Sequence, residues 1–254
     1  MSNKRTITFE KIVIPEDEIK KMTSSNKKRY LMLSNMIRDL NLLQKVLLYI
    51  KNTHDNHEVL ISGNAVASFF FLKTLISKNY EIKQFINYEG IINEKGNFTE
   101  ELLKKFIDIE DFFSKAEVTE LFDFIRNKFS FHYEYQKDIE PLLEQIMNDF
   151  DGIEMFLSHD SVNEIFSSSN AIMIKAIFIK MQNLGYKGDD TVLMNKLFSL
   201  AVESSRICRE FCTHYLVERI LYNINCLHKD TISLEAPLLS ECHLHFIVSG
   251  QKIS

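Results

Sequence analysis

Residues that break helices are scarce in this chain: its 254 positions hold 7 glycines and 3 prolines. Sheet-rich folds need a turn every few residues, and turns draw on Gly and Pro for their backbone angles. Helix interiors exclude both. With Leu, Ile, Lys and Glu abundant, this scarcity predicts an all-α protein. A hydrophobic share of 45% against 26% charged supplies a core and argues against a disordered chain. The net charge of −5 excludes a protein that coats nucleic acid non-specifically, although a local basic site stays open.

Periodicity divides the chain into segments. Residues 6–14, "TITFEKIVI", alternate as a strand does, and Pro15 with "EDE" opens a short helix. Apolar residues recur at helical spacing from Lys27 to Lys51 and from Val59 to Tyr88, with a bend expected near Lys78–Asn79. "EGIINEKGN" reads as a loop, followed by a helix that Thr99 caps. The next helix begins at "SKAEV", with Ala116, Leu121, Phe124 and Ile125 as its buried stripe. Further helices follow over 136–150 and 161–185, and an uninterrupted one over 189–227. The tail "ECHLHFIVSG" alternates again and is expected to pair with "TITFEKIVI" as a short two-stranded element made from the termini. Neither a repeat nor a low-complexity linker divides the chain. The expected architecture is one domain: an N-terminal arm over 1–20, a helical bundle over 21–235 and a tail over 236–254.

No apolar run reaches the ~18 residues needed to span a bilayer, and the N-terminal residues lack an apolar signal core. The expectation is a soluble cytoplasmic protein without a membrane partner. Its cysteines, Cys208, Cys212, Cys226 and Cys242, have no framework spacing and would stay reduced there. They read as small core hydrophobes. "HDNH" (His54, His57), "CHLH" (Cys242, His243, His245) and Cys208, Cys212 and His214 are weak metal candidates, because none supplies four ligands on one face. No glycine-rich phosphate loop occurs. The expectation is no cofactor and no metal. Phe69–Phe71 and "AIMIKAIFIKM" read as core. Lys20, Lys21, Lys27, Lys28, Arg29 and Arg38 form the most basic run, read as a solvated face that could steer RNA. Arg206, Arg209 and Arg219 are second candidates for backbone contacts.

One stretch combines polar groups with an oily frame: "FIRNKFSFHYEY", residues 124–135. Arg126, Asn127 and His132 stand in it as R-N-x-x-x-x-H after an aliphatic residue. This pattern resembles the signature of the HEPN superfamily, in the flavour of its abortive-infection and toxin-type members. The resemblance covers residues 126–132 as a motif and roughly 27–230 as an architecture. It implies a bundle of four or five core helices with extra helices around it. It also implies a homodimer whose two motifs face each other in a composite site, and a metal-independent endoribonuclease acting as a toxin or antiviral effector, with an antitoxin or other partner protein. Some members of that superfamily are inactive, so the alternative is a helical module that only binds RNA or a protein.

The residue types suit that chemistry. RNA cleavage through the substrate's 2′-hydroxyl needs a group that moves protons near neutral pH and a cation beside the phosphate. His132 fits the first need, and the planar fork of Arg126 fits the second. Asn127 would be the orienting group, holding the histidine ring or a phosphate oxygen, with Lys128 and Tyr133 as secondary substrate contacts. DNA, lacking the 2′-hydroxyl, would be spared. On an ideal helix Arg126 and His132 stand about 120° apart. Either the arginine reaches over, the helix loosens near Ser130, or a second chain completes the site. Tyr133 falls close to the face of Arg126. In one branch of the superfamily a tyrosine two places after the histidine is modified; Glu134 stands there in this chain. Without any such site, Arg126 would simply pair with Glu120 or Asp123 on the surface.

Overall fold

The structure is a computed structural model. It describes residues 5–51, 58–130, 144, 146, 155, 167–222, 224 and 227–236. These are mostly helical, with a two-stranded antiparallel sheet. In chain order they form β1 (Arg5–Val13), α1 (Glu16–Lys21), α2 (Ser24–Lys51), α3 (Glu58–Tyr88), a 3-10 turn (Ile91–Asn97), α4 (Glu100–Ser114) and α5 (Ala116–Ile125). A π-helical turn follows (Arg126–Ser130), then α6 (Ser167–Asn183), α7 (Asp190–Tyr215), a second π-helical turn (Leu216–Ile220) and β2 (Leu227–Ala236).

Local chemistry sets the helix ends. Thr99 caps α4 as expected, accepting from the Leu102 amide, and Asp189 caps α7 by accepting from Val192. Gly90 follows α3 in the left-handed region at φ 66°, which other residues adopt only at a cost. At Gly188 (φ 130°) a Cβ would strike the Val192 side chain. Lys115, extended at φ −69° and ψ 111°, ends α4 and begins α5. The Thr119 hydroxyl fastens this corner by donating to the Phe113 carbonyl at 2.7 Å.

The bundle core follows from the apolar spacing. Leu102, Phe106, Ile109 and Phe113 fall on one face of α4 and are buried. Phe106 meets Phe98 and Phe211, and Phe211 meets Tyr215. Phe122 of α5 packs edge-on against Phe112 and Phe113. Helices α2, α3 and α7 pack on one another, α4 lies on α7 and α5, and α6 lies on α3, α5 and α7. Cys208 and Cys212 are wholly buried, so they act as small core hydrophobes, and burial pushes the Cys212 thiol up to about 12. By length and composition α3 alone among the described helices could cross a membrane. In the bundle it packs on four other helices and buries Ser77 and Asn79, which no bilayer would favour.

Several expectations change. The stripe of α5 is Val118, Leu121, Phe122 and Ile125; Ala116 is exposed beside the corner and Phe124 is half-buried. Helix α3 runs unbroken through Lys78–Asn79. "IINEKGN" is a 3-10 turn rather than an open loop. Phe69 is core, whereas Phe70 faces outward. The long final helix stops at Tyr215, and the partner of β1 is Leu227–Ala236 rather than the 241–250 tail, which lies outside the described residues. The strand forms because Ile232, Leu234 and Ala236 alternate opposite Phe9, Ile7 and Arg5. Its period of two is short and begins where the helical period fades, so the two are easily merged in a one-dimensional reading. Most of 136–150 and 151–160, and the start of the 161–185 segment, lie outside the described residues.

Candidate functional site

The helical ladder of α5 loosens at Arg126, the first residue of the R-N-x-x-x-x-H motif, and the π-helical turn carries Arg126, Asn127 and Lys128. Such turns occur often at functional sites, because an extra residue in the turn re-aims the side chains after it. Loosening was one of the ways considered to bring the motif together, and it starts four residues earlier than expected.

Arg126 is half-buried. Its Nη1 donates to the Asn127 Oδ1 at 3.0 Å, and its guanidinium lies over the ring of Tyr80 from α3, 5.8 Å from the centroid. Its buried Nε has no hydrogen-bond partner, which for a buried donor costs about 1–3 kcal/mol. Among the described residues Arg126 makes no ion pair. The surface-pair alternative therefore does not describe it: Glu120 pairs with Lys180 at 3.4 Å, and the Asp123 carboxylate faces the Tyr80 hydroxyl. Burial first, and Asp123 second, raise the Tyr80 phenol above its ordinary value; Gln84 and Arg126 oppose the shift.

The structure thus brings Arg126 and Asn127 together and places Lys128, half-buried, in the same turn. His132 and Tyr133 lie outside the described residues. Asn127 orients the arginine through its carbonyl oxygen. Tyr80, Lys83 and Gln84 were missed in the sequence. Their signal was a polar series at i, i+3 and i+4 on an otherwise oily helix, ending at Asn87 three residues further on.

Lys83 adjoins this cluster. Its ammonium lies over the Tyr80 ring at 5.3 Å and the Phe113 ring at 5.4 Å, and donates to the Thr119 hydroxyl at 3.2 Å. Burial lowers its pKa from the ordinary lysine value, and the charge of Asp123 works against that.

The other candidates serve the fold. Lys20, Lys21, Lys28, Arg29 and Arg38 each bond a carboxylate, and Lys27 donates to the Lys20 carbonyl at 3.4 Å. Arg206 pairs with Glu210, Arg209 donates to Gln44 and Asn41, and Arg219 donates to the Asn97 carbonyl. His214 is held between the Glu210 carbonyl and the Glu101 carboxylate at 2.8 and 2.9 Å, away from the core-facing Cys208 and Cys212. Among the described residues no three His, Cys, Asp or Glu side chains converge as metal ligands. His54, His57, Cys226, Cys242, His243 and His245 lie outside them.

Compared with protein-family models, with curated proteins and with solved structures, the chain matches none.

Proposed function

We propose that this chain is a metal-independent endoribonuclease of the HEPN type, cleaving RNA through the substrate's own 2′-hydroxyl. The observation that carries the reading is Arg126: a half-buried guanidinium at the start of a loosened turn, steadied by Asn127 and Tyr80, with a buried Nε that has no partner and, among the described residues, no carboxylate paired to it. Arg29, by contrast, is matched by Glu94 at 2.6 Å. A guanidinium held in place without one is suited to meet a phosphate from outside.

In this reading Arg126 binds the scissile phosphate and stabilises the charge that grows on it in the transition state. Asn127 fixes the plane of the guanidinium. His132 moves the proton, either from the 2′-hydroxyl or to the departing 5′-oxygen. Lys128 and Tyr133 contact the substrate beside the reacting phosphate. The protein acts as a homodimer with a composite site, in the cytoplasm, as a toxin or antiviral effector restrained by an antitoxin or other partner. The buried thiols of Cys208 and Cys212 suit a reducing compartment.

The test is RNA cleavage by the purified protein in EDTA, with DNA as control, beside folded His132→Ala and Arg126→Ala proteins. Cutting of RNA alone that both substitutions abolish supports the reading. Cutting that survives them, or none from the unsubstituted protein with structured or unstructured RNA, sinks it in favour of a module that only binds.

A further inference from the structure

A groove of about 500 Å³ runs between α2 and α7, and none of its lining belongs to the Arg126 cluster. Its residues recur at helical spacing: Gln44 and Leu48 on α2, and Phe198, Val202, Arg206 and Arg209 on α7. Leu48 and Val202 face it from the two helices and stand 47% and 49% exposed. The walls therefore offer apolar surface that the described chain leaves uncovered. Arg206 and Arg209 are the last groove residues along α7, which makes one end cationic. The Arg209 Nη1 donates to the Gln44 and Asn41 side-chain oxygens at 3.0 and 3.4 Å. Neutral amides thus fix the guanidinium across the helix pair, and no carboxylate bonds it among the described residues. Arg206 pairs with Glu210 at 3.0 Å, but that carboxylate also takes Lys105 at 2.7 Å. Positive charge is left over at this end of an otherwise apolar groove.

We propose that this groove binds a single-chain anionic amphiphile, an unbranched hydrocarbon chain ending in a carboxylate or phosphate. The head meets Arg209, whose planar fork matches either anion, and the chain lies along Val202 and Leu48. Charge complementarity selects this ligand. A purely apolar molecule would leave Arg209 unanswered, and a small polar anion would leave the walls bare. The volume lies in the lower part of the ~300–1,000 Å³ range of small-molecule pockets and so suits one chain. The groove residues are separate from Arg126, Asn127 and His132, so the proposal does not depend on the ribonuclease reading.

The experiment titrates the full chain by calorimetry with octanoate, decanoate and dodecanoate below their micelle concentrations, and with decanol and decyl phosphate. Affinity is expected to rise roughly two- to fourfold with each added methylene, as for chain drawn out of water. Decanoate is expected to bind about tenfold more tightly than decanol. Arg209→Gln is expected to erase that preference and to leave decanol unchanged. Whichever of decanoate and decyl phosphate binds more tightly identifies the head that the site takes. Val202→Phe, at a half-exposed position, fills the groove and is expected to weaken every chain about tenfold. Both variants are checked for an unchanged melting temperature. If Arg209→Gln does not fold, the preference of the unsubstituted protein for decanoate over decanol and the Val202→Phe titrations decide.

The proposal is overturned if no chain binds, if decanoate and decanol bind equally, or if binding appears only with micelles. It is also overturned if the preference survives Arg209→Gln or if Val202→Phe binds every chain as before, because the anion or the chain then sits elsewhere. Sedimentation of Val202→Phe beside the unsubstituted protein tests the other occupant. A dimer lost in the variant, with no chain bound by either protein, makes the groove an interface between copies and removes the ligand site.

Discussion

Two helices of this protein end in the same way and are surrounded very differently. Helix α5 passes into a π-helical turn at Arg126, and α7 passes into one at Leu216. Each turn carries an arginine, Arg126 or Arg219, whose Nε is buried without a hydrogen bond. Around Arg219 the charges are closed. Glu94 lies 3.9 Å from it and accepts from Arg29 at 2.6 Å and from the Tyr215 hydroxyl at 2.9 Å. Arg29 also donates to Tyr215 and to the Glu89 carbonyl, and Glu218 bonds the Thr99 hydroxyl. Around Arg126 there is an amide, an aromatic face and no ion pair among the described residues. Loosening of a helix therefore says little about function by itself. What separates a structural arginine from a candidate catalytic one is whether the fold supplies its counter-charge.

That contrast can be broken by experiment, most strongly at Arg126. Arg126→Ala is expected to lower RNA cleavage by about 10²–10³-fold while changing stability by less than about 1 kcal/mol, as measured by single-turnover rates beside urea unfolding. Equal damage to folding would make Arg126 structural, like its counterpart.

Arg29→Ala should act in the opposite sense. It takes the charged donor away from Glu94, the Tyr215 hydroxyl and the Glu89 carbonyl inside a mostly buried network, leaving Glu94, among the described residues, only the Tyr215 hydroxyl as a close donor, and a loss of about 3 kcal/mol is expected. For a chain of this size that lowers Tm by roughly 6–12 °C. A Tm shift within error would show that the closed network contributes nothing to the fold.

The pH dependence sharpens the same contrast. Burial first, and Glu94 second, raise the Tyr215 phenol above its ordinary value, against the pull of Arg29 and Arg219. The native state therefore keeps this proton longer than the unfolded chain does. Its contribution is complete below about pH 10, the ordinary tyrosine pKa, and is lost as pH rises above that. The buried thiols of Cys208 and Cys212 are raised by burial too and act in the same direction from about pH 8.5 upward. Stability should fall between pH 9 and 11, and Tyr215→Phe should make that fall shallower. A parallel profile for the variant would mean that other groups govern the alkaline limit.

The smallest effect is expected at the cap that leans on the second turn. Thr99→Ala removes the acceptor for the Leu102 amide and the donor to Glu218, and should cost about 1 kcal/mol by denaturant unfolding.

The sequence alone determined the class of this protein. Scarce Gly and Pro, with apolar residues at helical spacing, demand helices wherever the described chain has them, from Ser24–Lys51 to Asp190–Tyr215. Thr99 announced its cap, and alternation announced β1, because each signal lies within a few consecutive residues. The pair Arg126 and Asn127 was legible as a motif for the same reason.

Tertiary structure decided everything that depends on residues far apart in the chain. It chose Leu227–Ala236 as the partner of β1, since a strand's own pattern cannot name its neighbour across more than two hundred residues. It set Tyr80 against Arg126 and Lys83 beside Phe113, and among the described residues it gave Arg126 no carboxylate while giving Arg219 a share of one. Periodicity is a local property of the chain, whereas the counter-charge of a buried cation is a property of the fold that surrounds it.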